Sequence, residues 1–372
     1  MTGPLTGIKV VEFAGMGPAP FAGMLLADMG ATVVRVQRAG AAVPGGLPGT
    51  GAELRGRTEV IADLKDADDR DSVRRLVAEA DVLLEGYRPG VMERLGLGPD
   101  ELLAVNPRLI YGRMTGYGQN GPLAQVPGHD INYLAIAGVL GAIRRDGERP
   151  LAPLNLVGDY GGGGMLLALG VVSALVQVAR TGRGEVVDAA MVDGAAQLAT
   201  LFFAFQSAGG WDRPGTNLLD SGAPFYEVYE TADGGHMAVG AIESQFYVEL
   251  LRFLDITTAD APQWDRDRWP QTKERFAAVF RTRTRQEWTD LLQHTDACAT
   301  PVLTLDEAPS HPHNVARDSF RQQNELTVPS PAPRFGGRKA GPIETVALVL
   351  VLQQWGLSAA DVTRLAGRNG EP

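Results

Sequence analysis

Two short polar islands in apolar sequence carry residues that can move a proton. The first is Gly128-His129-Asp130-Ile131-Asn132-Tyr133. The second is Asn155-Leu156-Val157-Gly158-Asp159-Tyr160, followed by Gly161 to Gly164. They offer a histidine and two carboxylates, placed just before helix-like runs. A neutral imidazole and a carboxyl group on opposite faces of one carbon can trade protons, which makes an acid/base constellation. Each residue also has a plainer reading. His129 fits a hydrogen-bonded loop residue after Pro127-Gly128. Asp130 fits a helix cap, and Asp159 an N-cap with the glycines as packing contacts. Against that, glycines let a backbone approach a ligand, and N–H groups at a helix start favour negative charge, so an oxyanion forming there would be stabilised. For Asp159 the local sequence leaves both readings open.

The elements that must position these residues read as an alternation of strands and helices. Ile8 to Phe13 and Thr32 to Val36 are strand-like, with a turn at Ala14 to Pro20 and a helix over Phe21 to Asp28 closed by Gly30. Val60-Ile61-Ala62, Asp81 to Leu84 and Leu109 to Tyr111 are further strands. Val73, Leu76, Val77 and Ala80 mark a helix over Asp69 to Ala80. The alternation predicts a parallel, doubly wound sheet. Beyond Asp188 the texture changes. Met191 to Ala208 is a long apolar helical pattern, and Phe225 to Ala241 a hairpin turned at Ala232-Asp233-Gly234-Gly235. Helices follow near Gln245 to Leu254 and Arg285 to His294. Val328 to Pro333 and the glycines after them predict an extended linker, and Val346 to Trp355 a last apolar helix. The expected organisation is a large domain over 1–188, a linker helix over 189–224, a small domain over 225–320, a linker over 321–345 and a return to the large domain over 346–372.

Arginines cluster at the predicted strand ends. Arg35 and Arg38 leave one strand, Arg55 and Arg57 lie in a predicted loop, and Arg88 and Arg94 flank Glu85 to Val91. Strand ends of such a sheet face one ligand crevice, where guanidinium groups suit a phosphate-bearing ligand. The turn Gly15-Met16-Gly17-Pro18-Ala19-Pro20 departs from a dinucleotide fingerprint. Pro20 replaces the third glycine, Pro18 removes a donor, and no acid follows the second strand. That argues against NAD and NADP and for a tight structural turn.

Composition bounds the rest. The chain has 372 residues, 44% hydrophobic and 21% charged, with a formal net charge of -10. That charge argues against general nucleic-acid binding. A single cysteine, Cys298, forms no internal disulfide, fits a reducing compartment and reads as a small buried apolar residue. His311-Pro312-His313 has no acid or cysteine cluster beside it and reads as exposed loop. The longest apolar run, Met165 to Val178, is shorter than the ~20 residues of a membrane span and reads as a buried helix. No signal peptide begins the chain, and Gly370-Glu371-Pro372 is not a peroxisomal address, so a cytoplasmic location is expected.

Over essentially its full length the chain resembles the family III CoA-transferase superfamily. The segments that carry the resemblance are Gly7 to Glu12, Leu25 to Ala31, Ala62-Asp63-Leu64-Lys65, Gly86-Tyr87-Arg88-Pro89-Gly90-Val91, Gly116 to Pro122 and Gly182 to Asp188. Within the superfamily it is similar to the α-methylacyl-CoA racemases, because transferase members typically carry a non-histidine residue where His129 stands. The resemblance implies an α/β fold with a Rossmann-like large domain and a smaller α+β domain. It also implies an interlocked homodimer whose sites lie between the large domain of one subunit and the small domain of the other. CoA, part of the substrate rather than a cofactor, would be held by Arg38, Ala62, Asp63, Leu64, Lys65, Gly86, Tyr87, Arg88 and Arg94. Arg55 joins them from the arginine group, and Gly128, Ile131, Asn132 and Tyr133 from the first island. His129 and Asp159 would exchange a proton at C2 of a 2-methylacyl-CoA thioester through an enolate, with Glu243 orienting His129 and Asp130 partnering Asp159. Backbone N–H groups near Asp159 would hold the enolate oxygen. No metal, redox cofactor, nucleic acid or membrane is expected. A CoA-transferase with Asp159 as nucleophile, a non-catalytic acyl-CoA-binding protein and, behind both, an NADP oxidoreductase are the rivals. No residue reads out the preferred acyl chain.

Overall fold

A computed structural model describes residues 3–40, 51–323, 325–337 and 346–367. The chain forms two compact units, one of Met1–Ala137, Pro153–Ala199 and Arg317–Pro372, the other of Gly138–Ala152 and Thr200–Ala316.

The first unit is built on six parallel strands: β1 (Lys9–Phe13), β2 (Thr32–Gln37), β3 (Arg57–Ile61), β4 (Val82–Glu85), β5 (Ile110–Thr115) and β6 (Val186–Ala190). Their order is β3-β2-β1-β4-β5-β6. A central parallel strand is covered on both faces and so reads as a near-continuous apolar run. Val10 and Val11 of β1 show why: both are fully buried, Val10 with Leu26, Leu84 and Leu167 on one face, Val11 with Leu76, Leu83 and Trp355 on the other. Each such side chain stabilises the fold by about 1.5–3 kcal/mol. The edge strand β6, Val-Val-Asp-Ala-Ala, is half exposed and lacks that pattern, so its sequence did not announce it.

Strand order fixes where a ligand can sit. The chain runs outward from β1 through β2 to β3, then returns to place β4 on the other side of β1. Loops leaving the carboxyl ends of β1 and β4 therefore diverge and leave a crevice. Arg38, Ala62 to Lys65, Gly86 to Arg88 and the Gly17 turn all follow carboxyl ends on that one edge.

Several local expectations are corrected. Arg57 lies in β3, not in a loop. The linker expected over 321–345 begins as an antiparallel hairpin of Phe320–Gln323 with Leu326–Pro329. Its 338–345 part, Met1-Thr2 and Gly370-Glu371-Pro372 lie outside the described residues. The apolar pattern of 191–208 is two helices, Met191–Leu198 and Thr200–Ser207, because the periodicity runs through the break at Ala199. The long apolar helix is not confined to 165–178. A π-helical stretch, Leu156–Met165, runs straight into the helix Leu166–Thr181, giving 26 continuous residues long and apolar enough to cross a membrane. Leu167, Val171, Ala174 and Val178 pack it onto the sheet, which is the behaviour of a core helix.

The second unit has an antiparallel sheet, β7 (Tyr226–Glu230), β8 (His236–Gly240) and β9 (Ala299–Pro301). Phe225, Tyr247, Phe276, Phe280 and Trp288 form its core, with Tyr229 and Phe280 stacked at 5.0 Å. Gly138–Ala152 belongs here because Arg145 pairs with the buried Glu227 at 2.8 Å and Asp146 with Arg213 at 2.7 Å. Cys298 is exposed, not buried: its backbone is left-handed, with φ 47°, at the start of β9. His313 lies in a short helix, Pro312–Ala316.

Candidate active site

Asp159 lies inside the π-helical stretch, four residues after Asn155, and is not an N-cap. Such stretches are rare and concentrate at functional sites. The glycines explain how this one packs. A Cβ on Gly162 would stand 2.6 Å from the Ala195 nitrogen, one on Gly163 2.8 Å from Pro18 Cβ, and one on Gly164 2.6 Å from the Pro18 carbonyl. They let the stretch press between the β1 turn and the helix Met191–Leu198. Of the plainer reading of this segment, the packing of the glycines is observed and the N-cap is not.

Three neighbours define the Asp159 carboxyl. Gly17 ends the β1 turn with φ 68°, and a Cβ there would stand 2.9 Å from Asp159 Oδ2. Only glycine gives both that backbone and that space. Asn155 Nδ2 donates to Asp159 Oδ2 at 3.1 Å. Asp130, buried at the start of the helix Asp130–Ile136, accepts the Asp159 backbone N–H on Oδ2 at 2.7 Å. Gly158 makes this approach possible, since a Cβ on it would stand 2.6 Å from the same oxygen. Asp130 thus partners the backbone of Asp159, not its carboxyl. The Asp159 N–H is taken by Asp130 and is therefore not a donor for the expected enolate cradle.

Burial pushes the Asp159 carboxyl above its ordinary value near 3.8; Asn155 and His129 pull it down, and Asp130 pushes it up. His129 thus acts electrostatically on Asp159. It is exposed, at the extended residue preceding the helix Asp130–Ile136. Its neighbours are held tightly: the Tyr133 phenol donates to the Gly128 carbonyl, and the His129 N–H donates to Asn132 Oδ1 at 3.0 Å. Ile131 is exposed. Glu243 belongs to the second unit, where it precedes the helix Ser244–Leu254 and reaches the Cys298 thiol electrostatically.

The arginines divide into two groups. Arg35, Arg55 and Arg57 are buried and committed. Arg55 grips Asp28 through two hydrogen bonds of 2.9 and 2.5 Å. Arg57 pairs with the fully buried Glu12 at 2.9 Å, and Arg35 with Glu59 at 3.1 Å. The structure therefore corrects the assignment of Arg55 to CoA. Arg38, Arg88 and Arg94 are exposed. Arg88 also acts electrostatically on Tyr133, which joins the crevice at β4 to the His129 segment. Around these lie buried Ala62, exposed Lys65, and a Tyr87 whose N–H donates to Glu85 Oε2 at 2.8 Å. Asp63 accepts the Lys65 N–H at 3.0 Å and donates its own to Asp69 at 2.9 Å, with Leu64 packed against the sheet. Arg55→Ala takes both hydrogen bonds from the buried Asp28 carboxylate, so a loss of about 3–5 kcal/mol of stability is expected. Arg88→Ala should instead raise KM with stability unchanged. Urea unfolding beside steady-state kinetics checks both, and a KM effect without a stability effect at Arg55 would contradict the division.

Two site residues were not assigned from sequence. Asn155 stood inside the second island, and its spacing of four from Asp159 on a helical path was the available signal. Gly17 was read only as part of a turn, and nothing local relates it to a residue 142 positions on.

Comparison with known proteins agrees with this geometry. The model of CoA-transferase family III matches residues 5–343. Mouse α-methylacyl-CoA racemase is 47% identical over 370 residues, covering 97% of this chain and 96% of its own. The human enzyme of that name is 49% identical over 332 residues, covering 88% and 86%. A crystal structure of a hypothetical protein from Mycobacterium tuberculosis superposes with a TM-score of 0.78 at 29% identity, covering 93% of this chain and 97% of that one. With the parallel sheet, the crevice and the match over almost all of its length, the chain belongs to CoA-transferase family III.

Proposed function

We propose that this protein is an isomerase that interconverts the (2R) and (2S) epimers of 2-methylacyl-CoA thioesters. The observation that carries the reading is a half-buried Asp159 whose backbone is pinned, at 2.7 Å, by Asp130, the residue that directly follows His129. The similarity to the mouse and human racemases supports it. The C2 proton is weakly acidic because the thioester carbonyl can hold the resulting enolate charge. One of the two groups removes that proton, and the other returns one to the opposite face. Chemistry of this kind needs no metal and no redox cofactor. The exposed arginines at the crevice, Arg38, Arg88 and Arg94, supply cations for the CoA phosphates.

A second copy of the chain completes the proposal. Met165, Leu169 and Val176 form an exposed apolar stripe along one helical rod, the kind of surface a partner subunit can cover. An interlocked homodimer buries that stripe and brings Glu243 from the partner to His129.

In either direction the reactive pair holds one proton, on Asp159 or on His129. The pH profiles of both epimers should therefore be bell-shaped with common limbs that belong to the pair. Asp130 raises the Asp159 carboxyl, so Asp130→Asn should move the limb governed by Asp159 to lower pH while the amide oxygen still accepts the Asp159 N–H. A limb that moves up, or limbs that differ between epimers, would count against the pair. The direct test is proton NMR of a 2-methylacyl-CoA in deuterated water. Loss of the C2 proton with collapse of the methyl doublet, without an acceptor acid, supports the racemase. An unchanged spectrum, with an acyl adduct trapped on Asp159, would establish the transferase.

A further inference from the structure

We infer that Tyr133 is a positioning residue for His129, acting through the peptide bond between Gly128 and His129; the inference rests on the racemase reading. Both polar groups of that peptide are occupied by consecutive residues of the following helix. The carbonyl of Gly128 accepts from the Tyr133 phenol, and the N–H of His129 donates to Asn132 Oδ1 at 3.0 Å. The carbonyl of His129 accepts the backbone N–H of Asn132 at 2.8 Å and that of Tyr133 at 3.3 Å. A peptide plane held on both sides cannot rotate, and its orientation sets the direction of the His129 Cα–Cβ bond.

The clamp itself is anchored. Tyr133 is 6% exposed, and its ring meets Tyr117 edge-on at 4.9 Å. Gly128 must lack a side chain here, since a Cβ would stand 2.8 Å from the Tyr133 ring and 3.1 Å from the Tyr117 hydroxyl. The same phenol feels Asp159, Asp130 and Arg88. It therefore stands among the acid opposite His129, the residue that pins that acid and a cation of the CoA crevice. His129 is exposed, so the rigidity of the preceding peptide matters: it fixes where the Cα–Cβ bond that carries the ring points. A displacement of about 1 Å of a catalytic group can cost up to ~10²-fold in rate.

The test separates positioning of His129 from general damage. Tyr133→Phe keeps the ring and removes only the hydroxyl. In deuterated water, C2 exchange of each epimer is followed in wild type, in Tyr133→Phe, and in Tyr133→Phe combined with His129→Ala or with Asp159→Asn. The clamp requires a roughly 10-fold fall in kcat with KM within about twofold. The exchange that survives on His129 alone should fall with it, and the exchange that survives on Asp159 alone should not. Asn132→Asp, which keeps an acceptor, should retain more activity than Asn132→Ala. An equal fall in both single-base exchanges, a rise in KM in place of the fall in kcat, or no change overturns the clamp. A wild-type protein that exchanges neither epimer overturns the racemase reading instead, and is told apart because it fails before any variant is compared.

Discussion

Asp159→Asn should lose ~10²–10⁴-fold of racemase activity in both directions while it still binds acyl-CoA and melts at a higher temperature than wild type at pH 7. The first effect follows from proton counting. Inversion in one direction needs a proton on Asp159 to deliver, and in the other needs a carboxylate to accept one, and an amide does neither. The second follows from burial, which raises the Asp159 carboxyl above its ordinary value near 3.8 despite Asn155 and His129. A carboxyl held above its unfolded value binds its proton more tightly in the folded state. Its contribution is favourable below the unfolded pKa and is lost as pH rises through the folded one. At neutral pH the ionised group therefore costs stability, and the amide, which can keep the Asn155 contact, removes that cost. Thermal melts at pH 7 and near pH 4 check the sign: the advantage should be present at the first and shrink at the second. A variant less stable than wild type at pH 7 would contradict the burial argument, and one with unimpaired racemisation would remove Asp159 from the mechanism. Loss of activity with a raised melting point is the pattern of a site that holds a charged group against its solvation, a trade between stability and function.

Legibility in the sequence followed the range of the interactions. The central strands were readable because burial on both faces writes a short apolar run; β1 and β4 are such runs. β6 was not, because an edge strand with Asp188 exposed carries no such mark. The proposed acid/base residues could be picked out because a histidine and two carboxylates in apolar sequence are conspicuous. Their arrangement could not, since Asp130 reaches Asp159 through a backbone N–H and Gly17 meets its carboxyl from another strand end. The arginines show the same limit. Arg55 and Arg88 are alike as letters, but Asp28, 27 residues before Arg55, takes one into the fold. Cys298 failed for a different reason: its small apolar character argued for burial, and a left-handed backbone turned it outward. Glu243 came from resemblance alone, because a glutamate before a helix has no local feature that ties it to His129.

His129→Ala should lose inversion to the same extent as Asp159→Asn, yet leave one half of the chemistry intact. If two groups serve two faces of C2, removing one does not prevent the other from taking a proton from its own face, trading it with solvent and putting it back. Each single variant should therefore exchange C2 hydrogen for deuterium in one epimer only, with retained configuration, and the two variants should choose opposite epimers. The residual exchange is slower than in wild type because the removed partner no longer holds the enolate between two polar groups, and each contributes ~10²–10⁴-fold. Chiral analysis of the recovered thioester together with its deuterium content reads both quantities from one sample. A single base working on both faces predicts otherwise: the variant that keeps it would still invert C2, and the other would exchange nothing. A transferase predicts exchange in neither, since attack of a carboxylate on a thioester carbonyl leaves C2 untouched. The complementary pattern has no source except two groups on opposite faces, and the proposed pair is one exposed imidazole before a helix and one half-buried carboxyl pinned through its backbone. Exchange of the same epimer by both variants would sink the assignment of opposite faces, whatever the loss of activity.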